Sequence, residues 1–188
     1  MPIENETKYV LDDRHGELER SLTVACSRIL RIRQGYLGPG VRIRETGKVG
    51  RSRSTPAHSF TYKQTVDGDV VEVETPISRS DFRKLWTKAS PRLLKMRFVF
   101  RDQGLTWEVD FFKDDEATYF CLAEVELKAR DRRVPDVPEQ LRPYLLHTVQ
   151  RGDRRFSSRN LADKIAASEL LSNLRPGLLL PHSMKPDN

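Results

Sequence analysis

The chain has 188 residues, of which 37% are hydrophobic and 32% are charged, values that are respectively low and high for a globular protein. The length fits a single domain, predicted over residues 1–171 with a tail at 172–188, and the formal net charge of +6 favours anionic partners. The absence of an apolar run of roughly 18 residues excludes a membrane span, and a strand-like segment that starts near Glu4 leaves no space for a signal peptide, so we predict a cytoplasmic protein.

Stretches of alternating charged and apolar residues predict most of the strands. They occur at residues 3–9, 41–44, 71–74, 95–98, 107–111 and 123–127. Because the side chains of a strand alternate between its two faces, each stretch places its charges on one face. A single strand of this kind is an ordinary half-buried strand, but six of them in one domain predict a closed sheet with a charged interior.

The N-terminal half contains further elements between these strands. Residues 17–26 fit either a short helix or an extension of the strand at 28–36. Glycines and a proline predict a turn at 35–40, and Asp67-Gly68-Asp69 predicts a hairpin. Residues 46–59 predict a basic surface loop, which is either a solvated hairpin tip or an element that grips an anion.

A helix is predicted from Ser80 to Ala89, because Ser80 is a suitable N-cap and apolar residues recur at helical spacing. In the C-terminal half we predict three strands and two helices. The strands are 93–101, 105–113 and 119–129, and the helices are 138–148 and 159–171. The fold class is therefore α+β, dominated by antiparallel strands.

The predicted inner face carries more carboxylates than cations. The carboxylates are Glu4, Glu6, Glu72, Glu74, Glu108, Asp110, Glu124 and Glu126, and the cations are Lys8, Arg42, Arg44, Lys63, Lys95 and Arg97. Because unpaired buried charge is costly, such an interior either stays wet or binds counterions. All-oxygen ligands favour hard divalent cations, so we predict Mg²⁺ or Mn²⁺ as cofactor.

Spacing divides these residues into two roles. The Glu-x-Glu pairs Glu4/Glu6 and Glu124/Glu126 place carboxylates about 7 Å apart on one strand face, where Asp110 could join them at a metal ion. The Arg-x-Arg and Lys-x-Arg pairs present charged donors to successive phosphates. Cationic clamps and a metal ion together suit phosphoryl transfer, whose transition state spreads charge over the phosphoryl oxygens.

Taken in order, these motifs resemble those of the CYTH superfamily, the triphosphate tunnel metalloenzymes. They are Glu4-x-Glu6-x-Lys8, Gln34-Gly35-Tyr36-Leu37, Val41-Arg42-Ile43-Arg44, Tyr62-Lys63, Glu72-x-Glu74, Lys95-x-Arg97, Trp107-Glu108-Val109-Asp110, Ala123-Glu124-Val125-Glu126-Leu127, Asp153-Arg154-Arg155-Phe156 and Asn160-Leu161-Ala162. The resemblance covers residues 3 to about 162. Phe156 stands where the family usually has tyrosine, so that position offers no hydroxyl group.

The resemblance implies a closed eight-stranded antiparallel β-barrel with a few helices packed outside, which forms a tunnel for a triphosphate. The implied metal ligands are Glu4, Glu6, Asp110, Glu124 and Glu126. The implied phosphate-binding residues are Lys8, Arg42, Arg44, Lys63, Lys95, Arg97 and Arg155. The implied catalytic residues, among which the glutamates support a second metal ion or position water, are Glu72, Glu74, Lys95 and Tyr36.

The predicted function is metal-dependent hydrolysis of inorganic triphosphate or short polyphosphate. Three alternatives stay open: a class IV adenylyl cyclase that uses ATP, a thiamine triphosphatase, and a non-catalytic module that binds polyphosphate or a nucleotide. The predicted partners are triphosphate-bearing small molecules rather than nucleic acid or a membrane. Pairing of two copies into a homodimer through an apolar outer face is compatible with the pattern.

Overall fold

The computed structural model describes residues 5–26, 28–50, 55–67, 69–128, 131 and 133–175. Its helices are α1 (Glu17–Ala25), α2 (Arg79–Trp86) and α3 (Lys164–Leu174). Its strands are β1 (Glu6–Leu11), β2 (Arg28–Gly38), β3 (Val41–Val49), β4 (Ala57–Val66), β5 (Asp69–Pro76), β6 (Arg92–Asp102), β7 (Leu105–Asp114), β8 (Ala117–Glu126) and β9 (Leu145–Thr148). They form one antiparallel sheet in the order β5-β4-β3-β2-β6-β7-β8-β1-β9.

This sheet is curved, but its backbone ladder is open. Residues from each of the strands β1 to β8 line one cavity on the concave face. Within the described residues, however, β5 pairs only with β4, and β9 pairs only with β1. The predicted antiparallel α+β fold is confirmed, whereas the predicted closed barrel of eight strands is replaced by an open sheet of nine.

The charged side chains share the concave face, as the period-two pattern predicts. In the strand register, Lys8 lies opposite Glu124, and Glu124 lies opposite Glu108 on the next strand. Arg97 lies opposite Asp110 in the same way. Because directly opposed residues point to the same face of a sheet, the register alone brings these cations and carboxylates together on one face across β1, β8, β7 and β6.

Helices α1 and α2 bury parts of the convex face. Leu18 and Leu22 of α1 pack against Phe111 of β7, and Phe82 of α2 packs against Ile43 of β3. Each such buried side chain contributes about 1.5–3 kcal/mol through removal of apolar surface from water. The two helices therefore cover apolar parts of the outer face of the sheet.

One end of the concave face is filled by apolar side chains. Phe156, Leu161 and Leu171 pack with Phe112 and Leu122 of the sheet. Helix α3, which carries Leu171, thus covers part of the inner face, unlike the helices that the resemblance places outside the barrel. The concave face is apolar at this end and charged along the rest.

Several boundaries differ from their predictions. Of the two alternatives for residues 17–26, the structure has the helix, α1, which ends at Ala25. The predicted surface loop at 46–59 is largely a continuation of the hairpin, since β3 reaches Val49 and β4 starts at Ala57. Residues 51–54 of this segment lie outside the described residues, as does Gly68 in the predicted β4–β5 turn.

Helix α2 covers Arg79–Trp86 rather than the predicted residues 80–89, and its N-cap is Ser78 rather than Ser80. The Ser78 hydroxyl oxygen accepts a hydrogen bond of 3.0 Å from the N–H of Asp81, which satisfies one of the unpaired donors of the first helical turn. Helix α3 likewise begins at Lys164 and not at 159, because the Asp163 carboxylate caps its first N–H groups.

The helix predicted at 138–148 is wrong. A short 3-10 turn at Arg142–Tyr144 leads into β9, which pairs with β1. Pro143 lacks an N–H donor and therefore opposes a regular helix at this place. Of the predicted tail, the first residues belong to α3, and residues 176–188 lie outside the described residues. No helix in the described part of the chain is long and apolar enough to cross a membrane.

Gly40 in the β2–β3 turn is expected to be intolerant of substitution. Its φ is +67°, and an added Cβ would lie 2.0 Å from the backbone oxygen of Lys63. We expect Gly40→Ala to lower the free energy of unfolding by about 3 kcal/mol in urea denaturation. Gly38→Ala is the matched control, because a Cβ at Gly38 meets nothing within 4 Å. Equal losses in the two variants would contradict this account of the turn.

Candidate anion-binding cavity

The concave face encloses a cavity of about 990 Å³. Among the described residues, its lining carries nine cationic side chains and four carboxylates. The cations are Lys8, Arg42, Arg44, Lys63, Lys95, Arg97, Arg151, Arg154 and Arg159, and the carboxylates are Glu6, Glu108, Glu124 and Asp153. The lining is therefore cationic, whereas the strand faces alone predict an acidic surplus. The difference arises mainly because Glu72, Glu74, Asp110 and Glu126 do not line the cavity, so the described strand residues contribute six cations and only three carboxylates. Residues 149–160 then add three arginines and Asp153.

Asp110 is a fully buried carboxylate that two cations share. Lys95 Nζ donates to its Oδ2 at 2.5 Å, and Arg97 Nε and Nη2 donate to Oδ1 and Oδ2, both at 2.6 Å. Burial would raise the pKa of Asp110, but the charges and hydrogen bonds of Arg97 and Lys95 outweigh burial and hold this pKa well below its usual range. Both carboxylate oxygens are thus occupied by cations, so the structure does not present Asp110 to a metal ion.

Glu124 is held by cations from two sides. Lys8 Nζ lies 2.8 Å from Glu124 Oε1 and 3.0 Å from Glu6 Oε1. Arg97 Nη2 donates to Glu124 Oε2 at 3.2 Å, and the same guanidinium also donates to Glu108. Burial opposes ionisation of Glu124, but the charges of Lys8, Lys95 and Arg97 together outweigh burial and lower the pKa of Glu124. These groups form one continuous network of charges along β1, β8, β7 and β6.

A second network lies on β3, β4 and β5. Arg42 Nη2 lies 3.3 Å from Glu72 Oε1 and 3.6 Å from Glu74 Oε2. Lys63 Nζ lies 3.3 Å from Glu72 Oε2, and the Thr61 hydroxyl donates to Glu74 Oε2 at 2.8 Å. The two glutamates predicted to act in catalysis are thus adjacent to two of the predicted phosphate-binding cations.

Arg44 lies between the two networks and is held by a neutral residue. Its Nε and Nη2 donate to Gln34 Oε1 at 3.1 and 3.0 Å, and Gln34 Nε2 donates to the hydroxyl of Tyr36. Burial, together with the charges of Arg42 and Arg97, lowers the pKa of Arg44 to about 10. Burial also raises the pKa of Tyr36, so the phenol carries its proton at neutral pH.

A smaller pocket of about 190 Å³ shares four of its six lining residues with the cavity. It is lined by Asn5, Glu6, Thr106, Glu108, Glu124 and Glu126. Its four carboxylates are the hard oxygen donors that Mg²⁺ and Mn²⁺ prefer. Within the described residues, no three His, Cys, Asp or Glu side chains are arranged so that they could hold one metal ion. Glu4, the remaining predicted ligand, lies outside the described residues.

The donor chemistry of this pocket nevertheless fits a divalent ion that binds together with phosphate. In such sites Mg²⁺ keeps several waters and takes only one or two protein carboxylates, because phosphate oxygens complete its octahedral shell. Glu6, Glu124 and Glu126 are the predicted ligands that line the pocket.

Most predicted phosphate-binding residues and Tyr36 line the cavity, and Arg155 is the exception. The Arg155 guanidinium is exposed and donates to Asp153. Three arginines that were not predicted as binding residues line the cavity as well: Arg151, Arg154 and Arg159. The basic run around them is visible in the sequence, but it has no periodicity that would show which side chains face the cavity.

Arg159 has a defined position in this lining. Its Nη1 donates to the backbone oxygen of Gly38 at 2.5 Å, and its Cζ lies 5.3 Å from the centroid of the Tyr36 ring. Such a contact between a guanidinium and an aromatic face is attractive. It fixes the segment at 157–160 against the end of β2.

The pKa of Lys95 leads us to expect that anion binding depends on pH. Burial, together with the charge of Arg97, lowers its pKa to about 8, although Asp110 acts in the opposite direction. The cavity therefore loses one cation as the pH rises through 8, and we expect the affinity for triphosphate to fall about tenfold between pH 7 and pH 9. Isothermal titration calorimetry of the wild type and of Lys95→Met measures this. Identical pH profiles of the two proteins would contradict it.

The lowered pKa of Lys95 also affects stability: as the pH rises, it increases the free energy of unfolding, whereas it decreases the affinity for the anion. An unfolded lysine titrates near pH 10.4, so between about 8 and 10 the unfolded chain binds more protons at this residue than the folded chain does. The contribution of Lys95 to the free energy of unfolding therefore increases with pH in this window. Weaker binding at high pH would thus not reflect loss of the fold at this residue.

Comparisons with known proteins find only weak structural similarity, at low sequence identity. No protein-family model matches the chain, and no curated protein matches it. Among solved structures, the PH1012 protein of Pyrococcus horikoshii OT3 is 16% identical, with a TM-score of 0.43, over 75% of this chain and 84% of that one. A Bacillus halodurans protein described as a candidate adenylate cyclase is 12% identical, with a TM-score of 0.43, over 92% and 90%.

A chain from the Schizosaccharomyces pombe Mediator head module is similar to the same extent. It is 10% identical, with a TM-score of 0.42, over 89% of this chain and 90% of that one. Likenesses of this size define neither a family nor an activity.

Proposed function

We propose that the chain binds and hydrolyses inorganic triphosphate or a short polyphosphate in this cavity, with Mg²⁺ or Mn²⁺ as cofactor. The observation that carries the proposal is the cationic lining of the 990 Å³ cavity. Lysines and arginines project into it from β1, β3, β4 and β6 and from residues 149–160. A phosphate chain bears charge along its whole length, and it is the small ligand that such a surrounding lining suits best.

The cations divide by chemistry into two kinds. Arg42, Arg44 and Arg97 present planar forks that match two phosphate oxygens at once, which fixes the orientation of the chain. Lys95 presents a point charge in a site that excludes most water. There its attraction to negative charge that develops on the transferred phosphoryl group is stronger than it would be in water.

Carboxylates in the cavity and next to it supply the other half of the chemistry. Glu6, Glu124 and Glu126 would hold the divalent ion, which supplies Lewis-acid stabilisation of the phosphoryl oxygens when it is bound. Glu72 and Glu74 lie beside Arg42 and can orient an attacking water by accepting its hydrogens. Anion binding would compete with the carboxylates for the same cations, so the ion pairs described above would be exchanged for contacts to phosphate.

A second candidate function is a non-catalytic module that binds polyphosphate or a nucleotide. Two observations favour it: the excess of cations in the lining and the absence, among the described residues, of three groups arranged to hold a metal ion. It differs from the first candidate only in the lack of turnover.

The test is turnover of a small panel of substrates by the purified chain. Phosphate release is measured from inorganic triphosphate, ATP and thiamine triphosphate with Mg²⁺ or Mn²⁺, and cyclic AMP is assayed alongside. The proposal predicts metal-dependent phosphate release that is fastest from inorganic triphosphate. Cyclic AMP from ATP would instead identify a cyclase. Tight binding of polyphosphate without any turnover would identify the binding module.

A further inference from the structure

Gln34 is a fully buried polar side chain that contacts two residues of the cavity lining. Its amide oxygen accepts hydrogen bonds from both Nε and Nη2 of Arg44, and its amide nitrogen donates to the hydroxyl oxygen of Tyr36. Arg44 and Tyr36 are adjacent to it in the sheet, since Gln34 lies opposite Arg44 in the β2–β3 register and Tyr36 follows two residues later on the same face.

Chemistry decides the orientation of this amide. A guanidinium has five donors and no acceptor, so the group that faces Arg44 must be the amide oxygen. The amide nitrogen must then face Tyr36 and donate to the phenol oxygen. Because this oxygen accepts from Gln34, the hydroxyl hydrogen of Tyr36 is not used in that bond and is available to an acceptor in the cavity.

Arg44 also differs from the other strand cations in its electrostatic partners. Lys8, Arg42, Lys63, Lys95 and Arg97 each have a carboxylate within 4 Å. Among the described residues Arg44 has none at that distance, and its side-chain hydrogen bonds go to the neutral Gln34. A neutral acceptor fixes the orientation of the guanidinium group without neutralising its charge. A carboxylate would fix the orientation and neutralise the charge as well.

We infer that Gln34 is a positioning residue for anion binding: it orients the Arg44 fork while leaving its charge available, and it turns the Tyr36 hydroxyl hydrogen toward the cavity. The inference rests on the proposed function, because it takes a phosphate chain as the ligand. It adds to that function a residue that acts through Arg44 and Tyr36 rather than by touching phosphate.

The test is Gln34→Glu, which keeps the shape of the side chain and replaces the neutral acceptor by an anion. The carboxylate would pair with Arg44 and accept the hydrogen of Tyr36, so both donors would be withdrawn from the ligand. We expect the dissociation constant of inorganic triphosphate, measured by calorimetry without divalent metal, to rise at least about tenfold. The melting temperature is expected to stay at or above that of the wild type, because a new ion pair forms.

Two controls separate positioning from general charge and from packing. Gln140→Glu makes the same change of charge at an exposed site and is expected to bind like the wild type. A double-mutant cycle with Arg44→Gln gives the specific signature: Arg44→Gln weakens binding at least about tenfold in the wild type and only slightly in Gln34→Glu, where Arg44 is already neutralised. Equal effects in the two backgrounds would overturn the inference.

The remaining outcomes are also decisive. If Gln34→Glu binds triphosphate as tightly as the wild type does, the inference is wrong while the proposed function stands. If the wild type does not bind triphosphate, the proposed function itself fails. If Gln34→Glu does not fold, Tyr36→Phe decides: loss of the hydroxyl donor is expected to weaken binding at least threefold, and unchanged binding would overturn the inference.

Discussion

Replacement of Asp110 by asparagine is expected to cost about 3–5 kcal/mol of the free energy of unfolding. The substitution keeps the shape of the side chain but leaves Lys95 and Arg97 buried without the carboxylate that both now contact. Removal of one partner from a buried ion pair is strongly destabilising because the remaining charge stays out of water. For a domain with a total stability of about 5–15 kcal/mol, this is a large fraction. Urea denaturation at neutral pH measures it.

The loss of stability in Asp110→Asn is also expected to depend on pH. The pKa of Asp110 is lower in the folded chain than the value near 3.9 of an unfolded aspartate. Its stabilising contribution is therefore fully present above about pH 4 and is lost as the pH falls further. The difference between wild type and Asp110→Asn should be constant from pH 5 to pH 7 and should narrow in acid. A variant as stable as the wild type at neutral pH would show that this ion pair does not hold the sheet together.

Replacement of Glu126 by glutamine is expected to lower turnover and to leave the free energy of unfolding unchanged, in contrast to the replacement of Asp110. Glu126 is an exposed residue at the end of β8, where it lines the acidic pocket. We expect Glu126→Gln to reduce metal-dependent phosphate release at least about a hundredfold, because a ligand of the divalent ion is lost. We expect its unfolding midpoint to match that of the wild type. Glu4→Gln, at the other predicted ligand pair, is expected to lose turnover in the same way.

The matched control is Glu169→Gln, which removes the same charge from an exposed position on α3. It should retain both turnover and stability. Wild-type turnover in Glu126→Gln would mean that this carboxylate is not a metal ligand. A loss of turnover accompanied by an equal loss in Glu169→Gln would point to the overall charge of the chain instead.

The comparison of Asp110 with Glu126 shows what the sequence could and could not predict. Both are acidic residues on strands of alternating pattern, and the period of two correctly assigns both to the inner face. Their difference comes from strand register, which is non-local: Arg97 lies opposite Asp110 on β6, whereas Glu126 lies opposite another carboxylate, Glu6, on β1. A pattern within one strand does not contain the identity of the residue opposite it on the next.

The segments outside the alternating strands were predicted less well for a related reason. Residues 145–148 form a strand only because β1 offers its free edge, and nothing in their own sequence indicates that partner. Arg151, Arg154 and Arg159 reach the cavity from irregular structure, where no periodicity assigns faces. Together with Asp153 they raise the excess of cations over carboxylates in the described lining from three to five, although they have the weakest signal in the sequence.

The open sheet and the covered end of the concave face could not be predicted from the strand patterns either. Phe156 and Leu171 are apolar residues whose partners, Phe112 and Leu122, lie on the same face as the charged residues. The alternating pattern predicts a face that is charged throughout. The structure divides it into an apolar end and a charged cavity.

The most direct test of the central claim is a crystal structure of the chain with inorganic triphosphate bound in the absence of divalent metal. We predict that the ligand lies in the concave cavity with its oxygens in contact with Arg42, Arg44 and Lys95. Triphosphate bound outside the cavity, with the ion pairs of the lining intact, would contradict the central claim.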